Sequence, residues 1–587
     1  MILTHNSRQN FYREPYGAVP CETPVLLRCD FSLNPSKPRL YLRFEAYNQS
    51  KSSCIYPNKV YFNGNGYTAE FLLDTEMLSE PGLYFYKFSS DSGEVTNEYQ
   101  ITVYEKGLNV PDWFINSVIY QVFPDRFYKA VDSRACAKPN SFLYSNWNDL
   151  PFYIKDDKGR IARWEFFGGN LKGIQRKLSY IQKLGADTIY INPIFEARSN
   201  HRYDTADYYK IDSLLGGDEA FDDLIESAKD NNVHIILDGV FNHTGKHSKY
   251  FSSCRDENSP YKEWFNFYDD GSYDCWWGVD DLPAINKTSQ SFAQFVAGNE
   301  NSVVRYWGKR GISGWRLDVA DELSDELLQK IRTASEKEID EPVIIGEVWE
   351  NASNKMSYGQ RKMYFTKPEL HTHTNYVFRN TLLDFLGGKI SSYDVKEVFE
   401  IIKETYPKHN FFAQVNMTSS HDVVRLFTML LNITNQDRRL ARDLVKCYSL
   451  IQFSSAGVPL IYYGDETCLE GGKDPDNRRT YPWDNQDVDM IDWFAELAVL
   501  RKNNKALVWG DCEYFAESDG NVFGLLRKAC DTESSAFLLV CDRFGKGKEF
   551  LLENLRAIIN RIDYLREKSY SIEKEAGGYG VLVRFLY

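Results

Sequence analysis

The chain of 587 residues is 43% apolar and 26% charged, values typical of soluble globular proteins, which excludes a disordered or fibrous chain. At roughly 100–200 residues per domain the length allows about three to five domains, unless one of them is a large barrel. With 69 Lys and Arg against 83 Asp and Glu, the formal net charge of −14 argues against nucleic acid as a partner and leaves a neutral substrate unaffected.

The N-terminal part of the chain has the pattern of a β-sandwich. Its first ten residues, MILTHNSRQN, are polar and lack the apolar segment of a secretory signal. Short alternating segments follow, separated by turn residues: LYLRFEAY (40–47), KVYFNG (59–64) and GLYFYKFSS (82–90). This pattern predicts an antiparallel β-sandwich over residues 1–110, with a linker at KGLNVPD (106–112).

Between residues 111 and 503, short apolar runs alternate with helical stretches. Eight runs are candidate buried strands: SVIYQVF (117–123), ADTIYINP (186–193), VHIILDGV (233–240), GWRLDVA (314–320), PVIIGEV (342–348), TNYVFR (374–379), FAQVNMT (412–418) and VPLIYYGDE (458–466). Eight such alternations predict an α/β fold, a parallel (β/α)8 barrel. The long connection at about 244–300 holds the aromatic clusters YKEWFNFY and YDCWWG, so we expect a small inserted domain B there.

The last part of the chain, residues 504–587, alternates again in VFGLLRK, AFLLVCD and YGVLVRFLY, which predicts a C-terminal antiparallel β domain. The eleven cysteines are scattered without a C-x-x-C pair, as is typical of reduced thiols in a cytosolic protein. No apolar stretch is long enough to span a bilayer. We therefore expect a cytoplasmic protein without a membrane partner.

Ionisable residues stand at the predicted carboxyl ends of four barrel strands, where the loops of such a barrel converge on the active site. They are Asp238 and His243 at the third strand, Arg316 and Asp318 at the fourth, Glu347 at the fifth, and His421 and Asp422 after the seventh. Buried strand ends are costly places for charge, so four converging acids indicate function. Two carboxylates suffice to cleave a glycoside: one protonates the leaving oxygen, and the other attacks the anomeric carbon or activates water.

These segments resemble a known family. DGVFNH (238–243), GWRLDVADE (314–322), GEVW (346–349) and SSHD (419–422) resemble the four signature regions of glycoside hydrolase family 13, the α-amylase family. LPAIN (282–286) resembles the fifth region of its neopullulanase, cyclomaltodextrinase and maltogenic amylase subgroup. The resemblance covers about residues 111–483, and the N-terminal β domain is similar to the subgroup's starch-binding-type module.

The resemblance implies a role for each matching residue. Asp318 would be the nucleophile, Glu347 the general acid and then base, and Asp422 the stabiliser of the transition state. Arg316, on the same face as Asp318, would lower the pKa of that carboxyl and keep it ionised. The remaining residues would bind substrate: Asp238, His243 and His421 at the cleavage point, Tyr203 and His201 in SNHRYDTADY (199–208), Asp474 and Arg478 in DPDNRR (474–479), and Glu322 near the acceptor side.

The chain departs from the subgroup where a calcium site would stand. The Asn- and Asp-rich loop after the first strand is replaced by YKAVDSRACAK (128–138), and Asn170 replaces an Asp. Ca²⁺ requires about six to eight oxygen ligands, and Asp132 is the obvious candidate in this loop. We expect weak Ca²⁺ binding or none, no other metal, and no required cofactor.

Together these features predict an intracellular, retaining α-glucan hydrolase that cuts α-1,4 bonds in cyclodextrins, pullulan and malto-oligosaccharides. Cleavage of α-1,6 bonds and transglycosylation stay open. The partners expected are neutral α-glucan oligosaccharides and, by the resemblance alone, a second copy of the chain in a homodimer. Two alternatives remain: a 4-α-glucanotransferase or α-glucosidase of the same family, and a non-catalytic glucan-binding protein built on the same barrel.

Overall fold

The computed structural model describes residues 3–32, 38–130, 138–529 and 535–585. The chain packs as two compact units. The first unit comprises residues 1–110 together with 349–372 and 397–411, two segments that lie within the predicted barrel range. The second unit comprises residues 111–348, 373–396 and 412–587 and therefore holds most of the barrel and the C-terminal region.

The first unit contains two five-stranded sheets whose inner faces share one apolar core. That core includes Leu27 and Phe71 of one sheet, Leu42 and Phe88 of the other, and Met363 from the segment 349–372. Strand Val25–Phe31 alternates buried and half-buried residues, as a strand with one covered face should. The first sheet comprises Leu3–Thr4, Arg13–Glu14, Val25–Phe31, Lys59–Phe62 and Tyr67–Leu73; the second comprises Val19–Pro20, Arg39–Ala46, Gln49–Ile55, Gly82–Ser89 and Tyr99–Tyr104. The predicted β-sandwich is confirmed.

The second unit is built on a parallel sheet that closes into a barrel. In chain order its strands are Ile119–Val122, Thr188–Ile191, His234–Gly239, Gly314–Leu317, Val343–Gly346, Thr372–His373, Val415–Met417 and Val458–Tyr462. Each of the first five pairs with the next, the eighth pairs with the first and the seventh, and a bridge from Thr374 to Val415 joins the sixth to the seventh. The predicted (β/α)8 barrel is confirmed.

The sixth strand differs from its prediction. It covers only Thr372–His373, and most of the predicted segment TNYVFR forms the start of helix Tyr376–Leu386. The side chain of Asn375 caps that helix by accepting a hydrogen bond from the backbone N–H of Phe378 at 3.0 Å. A short apolar run cannot be assigned to strand or helix by periodicity, and here the cap residue was the better signal.

Helices follow the strands along the chain, and each buries an apolar side. Helix Gly217–Asp230, for example, buries Phe221, Leu224 and Ala228, spaced three and four residues apart. The other helices that follow the strands are Leu171–Arg176, Leu178–Lys183, Val303–Lys309, Asp325–Glu338, Ser392–Thr405, Lys408–Ala413, Leu426–Ile433, Arg438–Ser454, Val488–Lys502 and Lys505–Trp509.

Three excursions extend from the carboxyl ends of the first three strands. The first is a small sheet of strands Ser141–Leu143, Ile154–Lys155 and Ile161–Phe166, which the sequence pattern did not predict, and the second pairs Phe195–Ala197 with Thr205–Ile211. The third is the predicted domain B, with helices Lys249–Ser253 and Gln290–Ala297 and the tight turns Lys262–Trp264 and Trp276–Gly278.

The C-terminal region forms a five-stranded antiparallel sheet, as predicted, but a helix not foreseen from the sequence, Lys548–Ile559, packs on it. Leu551, Leu555 and Ile558 of this helix are buried against Leu538 and Val583 of the sheet. The strands are Asp511–Glu517, Val522–Lys528, Ala536–Asp542, Tyr570–Ala576 and Gly580–Phe585. Within the part of the chain described here, no helix is both long and apolar enough to cross a membrane.

Candidate active site

The register of the barrel brings the predicted acids together. Asp238 of the third strand pairs with Arg316 of the fourth, and Leu317 of the fourth pairs with Gly346 of the fifth. Asp318 and Glu347 follow that last pair directly. Because side chains alternate along a strand, Arg316 and Asp318 point to the same face, which is the interior of the barrel mouth.

One guanidinium joins three of the carboxylates. Arg316 Nη1 donates to Asp238 Oδ1 at 2.9 Å and to Asp318 Oδ1 at 2.8 Å, while Nη2 lies 2.9 Å from Glu347 Oε2. Asp318 and Glu347 keep 6% and 8% of their surface exposed, so both remain open to the mouth of the barrel. The arrangement holds two carboxylates side by side at one accessible point.

Burial changes the charge balance expected for the nucleophile candidate. Desolvation by burial raises the pKa of Asp318 well above its ordinary value; the Arg316 guanidinium lowers that pKa, and the Glu347, Asp238 and Asp422 carboxylates raise it further. Arg316 thus acts on the pKa of Asp318 in the expected direction, and burial and the neighbouring carboxylates oppose it. A single guanidinium among several buried carboxylates favours retention of a proton within the cluster.

Val319, the residue after Asp318, has a left-handed backbone with φ of 46°. Such a conformation is strained for a β-branched residue. It directs the backbone N–H of Val319 to Glu347 Oε2, which accepts it at 2.9 Å. One oxygen of Glu347, Oε2, is thus held by one backbone donor and one guanidinium.

A hydrogen-bonded chain fixes the ring of His421. The side-chain amides of Gln121 and Asn192 donate to His421 Nδ1 at 3.0 and 3.1 Å, so Nε2 carries the proton. Nε2 then donates to the Tyr203 hydroxyl at 2.5 Å, and that hydroxyl donates to Asp238 Oδ2 at 2.9 Å. Burial and the cations of Arg478 and Arg316 hold the pKa of His421 well below its usual range, so the ring is neutral.

A second cluster lies beside Asp422. Arg478 binds Asp474 at 2.8 Å through Nη1, lies 3.7 Å from Asp422 Oδ1 through Nη2, and donates to the backbone oxygen of His421 at 3.0 Å. The Asp422 side chain is 30% exposed, yet desolvation still raises its pKa against the opposing effect of Arg478. The ring of His201, 5.8 Å from that of Tyr203, is half-buried on the same side.

The third group surrounds His243. The segment LPAIN runs beside it: the Ile285 N–H donates to the backbone oxygen of Asn242 at 2.9 Å, and a β-bridge joins His243 to Ala284. Burial and the Lys287 ammonium lower the pKa of His243 to about 3, so this ring is neutral, and its buried Nε2 has no hydrogen-bond partner among the described residues. Such an atom fits a ligand hydroxyl. Glu322 lies near it, accepting from Asn242 Nδ2 at 3.1 Å.

A comparison with known families agrees with this geometry. The family model "Alpha amylase, catalytic domain" matches residues 121–294 and 277–510, well over half of the chain. The chain belongs to the alpha-amylase family.

Relatives within the alpha-amylase family cover the chain to different extents. An amylopullulanase of Thermoanaerobacter thermohydrosulfuricus is 31% identical, over 97% of this chain and 44% of its own length. The intracellular maltogenic amylase of Bacillus subtilis is 32% identical, over 70% of this chain and 66% of its own. The structure of the cyclic α-maltosyl-(1→6)-maltose hydrolase of Arthrobacter globiformis, in complex with that sugar, aligns with a TM-score of 0.64 and 27% identity, over 75% of this chain and 93% of that chain. The chain spans less than half the length of the amylopullulanases it matches.

The structure adds residues that the motif matches missed. Tyr153, directly before strand Ile154–Lys155 of the small sheet, donates its hydroxyl to Asp474 at 2.9 Å and accepts from Arg478 at 3.2 Å. Tyr190 donates to Asp238 Oδ2 at 2.6 Å. No local pattern marks Tyr153, whereas Tyr190 lies three residues before the end of a predicted strand and could have been chosen by its position.

The calcium prediction is only partly addressed by the described residues, because Asp132 lies outside them. Asn170 uses its side-chain oxygen to cap helix Leu171–Arg176, accepting from Gly173 N–H at 2.8 Å. Across the described ranges, no group of three or more His, Cys, Asp or Glu is placed to hold a metal ion.

Proposed function

We propose that the chain is a retaining α-glucan hydrolase of the cyclomaltodextrinase and neopullulanase type, acting on α-1,4-glucosidic bonds of cyclodextrins, pullulan and malto-oligosaccharides. The observation that carries the proposal is the bridge of Arg316 between Asp318 and Glu347 at the open mouth of the barrel. Two carboxylates on one guanidinium are compatible with the separation of about 5–5.5 Å that retaining glycosidases use. The names of the relatives, which include cyclomaltodextrinase and neopullulanase, support the substrate class.

In the first step, an Asp318 oxygen attacks the anomeric carbon while Glu347 gives its proton to the departing glycosidic oxygen. The products are a glycosyl ester on Asp318 and a free sugar with a new hydroxyl group. In the second step, Glu347 takes a proton from water, the water oxygen displaces Asp318, and the anomeric configuration is restored. The first step therefore requires a proton on Glu347 and an ionised Asp318.

The neighbouring groups bind the sugar at the cleavage point and the next sugar on its non-reducing side. The neutral rings of His421 and His243 offer hydrogen bonds to hydroxyls without adding charge, and Tyr203 stands beside them with its ring stacked 5.3 Å from that of His421. Asp422, open to the cleft, is placed to bind hydroxyls as the ring flattens in the transition state. Asp474 and Arg478, fixed by Tyr153, hold the next sugar on the non-reducing side.

The test follows the anomer that the enzyme releases. Proton NMR during hydrolysis of γ-cyclodextrin should show the α anomer first, and Asp318→Asn should lower kcat/KM by at least about a thousandfold. The matched control is Asp489→Asn, because Asp489 lies on helix Val488–Lys502 with its side chain 85% exposed. Initial release of the β anomer, or activity of Asp318→Asn within about tenfold of the wild type, would refute the mechanism.

Product analysis on maltotriose separates the alternatives. Disproportionation to shorter and longer glucans would identify a glucanotransferase, and release of glucose alone an α-glucosidase. Binding of maltoheptaose by calorimetry without any turnover would identify a glucan-binding protein.

A further inference from the structure

The segment that carries Asp422 depends on side chains from elsewhere for its shape. Residues 418–424 follow the seventh barrel strand and form neither helix nor strand. Buried backbone carbonyls in such a segment need hydrogen-bond partners outside it. Asn477 supplies two of these bonds, donating through Nδ2 to the backbone oxygens of His421 and Val423 at 2.6 and 3.1 Å. The middle of the segment is thus held from the side of the eighth strand.

One guanidinium holds the two ends of the same segment. Arg379, on helix Tyr376–Leu386, donates through Nε to the backbone oxygen of Thr418 at 3.1 Å and through Nη2 to that of Val424 at 2.6 Å. Its Nη1 donates to the side-chain oxygen of Asn380 at 3.1 Å, so all three nitrogens bind neutral oxygens. Arg379 is 5% exposed, and a buried charge is costly unless its hydrogen bonds are satisfied. The buried charge of Arg379 therefore fixes both ends of the segment to one point of the helix.

A second residue of the same helix reaches the backbone of Asp422. Tyr376 precedes Arg379 by three residues, so both side chains lie on one face of the helix. The hydroxyls of Tyr376 and Ser420 lie 3.1 Å apart, and Ser420 Oγ accepts from the Asp422 N–H at 3.2 Å. One helix face thus contacts the segment at both ends and, through Ser420, at Asp422.

The helix is itself anchored to the seventh strand. Asn375, whose side-chain oxygen caps the helix, donates through Nδ2 to Gln414 Oε1 at 3.0 Å and to Asn416 Oδ1 at 2.9 Å. Asn416 belongs to strand Val415–Met417, and the segment 418–424 begins where that strand ends. Strand, helix and segment therefore form one hydrogen-bonded unit.

We propose that Arg379 is a positioning residue, which acts through the backbone of segment 418–424 to place the Asp422 carboxylate against the sugar in the transition state. Electrostatic stabilisation of a transition state requires groups that are fixed in advance. A displacement of about 1 Å at a reacting group can cost about a hundredfold in rate. The inference rests on the proposed function, in which Asp422 binds the sugar as its ring flattens.

A double-mutant cycle tests whether Arg379 acts through Asp422. Arg379→Met removes the guanidinium and keeps a long side chain. It should lower kcat on maltotriose about thirtyfold and change KM by less than about threefold, because a displaced Asp422 weakens binding of the transition state more than binding of the substrate. In the Asp422→Asn background the same change should lower kcat by less than about threefold, because the carboxylate that Arg379 positions is already absent.

A conservative variant and a matched control accompany the cycle. Arg379→Lys should recover part of the lost kcat, since an ammonium group can bind one of the two carbonyls, and it replaces Arg379→Met in the cycle if that variant does not fold. The control is Arg527→Met, because Arg527 is 1% exposed and donates to backbone oxygens such as those of Ser454 and Gly510 in the C-terminal region. It should lower the melting temperature and leave kcat unchanged. Thermal unfolding of each variant shows that it is folded at the assay temperature.

The outcomes separate this inference from the proposed function. An equal loss of kcat in both backgrounds, or an unchanged kcat in folded Arg379→Met, would overturn the positioning role and leave the hydrolase assignment intact. A wild-type protein that does not turn over maltotriose, or Asp422→Asn with the activity of the wild type, would overturn the function proposed for the site and this inference with it.

Discussion

The role of Glu347 can be isolated by replacing it with glutamine. In the structure one Glu347 oxygen accepts from the Val319 N–H and lies beside the Arg316 guanidinium, each at 2.9 Å. The carbonyl oxygen of a glutamine can accept from the same two donors. Glu347→Gln should therefore keep its place while losing the ability to give or take a proton.

Loss of the acid is expected to cost about 10²–10⁴ in rate, or roughly 3–5 kcal/mol, on substrates with a sugar leaving group. Fluoride leaves without protonation, so formation of the Asp318 ester from α-maltosyl fluoride should be far less affected. Hydrolysis of that ester still needs a base. The variant should thus release fluoride in a burst and then slow down.

A fluoride electrode measures the burst, and mass spectrometry of the quenched protein detects an added maltosyl group on the peptide that contains Asp318. Asp318→Asn is the matched comparison and should lose activity on both kinds of substrate equally, since it removes the nucleophile itself. If Glu347→Gln lowers the rate on α-maltosyl fluoride by the same factor as the rate on maltotriose, Glu347 is not the general acid.

Four further predictions can be tested, two from the geometry of the site and two from the sequence analysis. Folding raises the pKa of Asp318 above the value of about 3.9 that an aspartate has in the unfolded chain. The free energy of unfolding should therefore fall as the pH rises from about 3.9 through the pKa of Asp318 in the folded protein. Asp318→Asn should therefore be more stable than the wild type at pH 8, with the difference shrinking toward pH 5 in urea titrations; an advantage that grows on acidification would contradict this. Tyr153→Phe should lower kcat/KM on maltotriose roughly tenfold, because it removes the hydroxyl that binds both Asp474 and Arg478, whereas Tyr268→Phe, at an exposed position, should leave kcat/KM unchanged. EDTA should leave activity and melting temperature unaltered, and a loss restored by Ca²⁺ would disprove weak or absent binding. Light scattering at micromolar concentration should give the mass of a homodimer, whereas a monomer mass would refute that expectation.

Much of the site was predictable because its signals are local. Arg316 and Asp318 stand two residues apart on a predicted strand, and parallel strands deliver their carboxyl ends to one place, so topology alone placed them near Glu347. The sixth strand was misplaced for the converse reason. The segment TNYVFR is too short for its period to distinguish a strand from the first turn of a capped helix.

The order of the chain determined which acids stand at the mouth of the barrel, since the repeat of strand and helix and the residues at each strand end are written in consecutive positions. Tertiary structure alone decided what surrounds them. Tyr153 reaches Asp474 across 321 positions of sequence, and Arg379 reaches Val424 across 45. The protonation preference of Asp318 also depends on burial and on carboxylates from other strands. Such distances and desolvation arise only when separate segments pack together, so no local pattern encodes them.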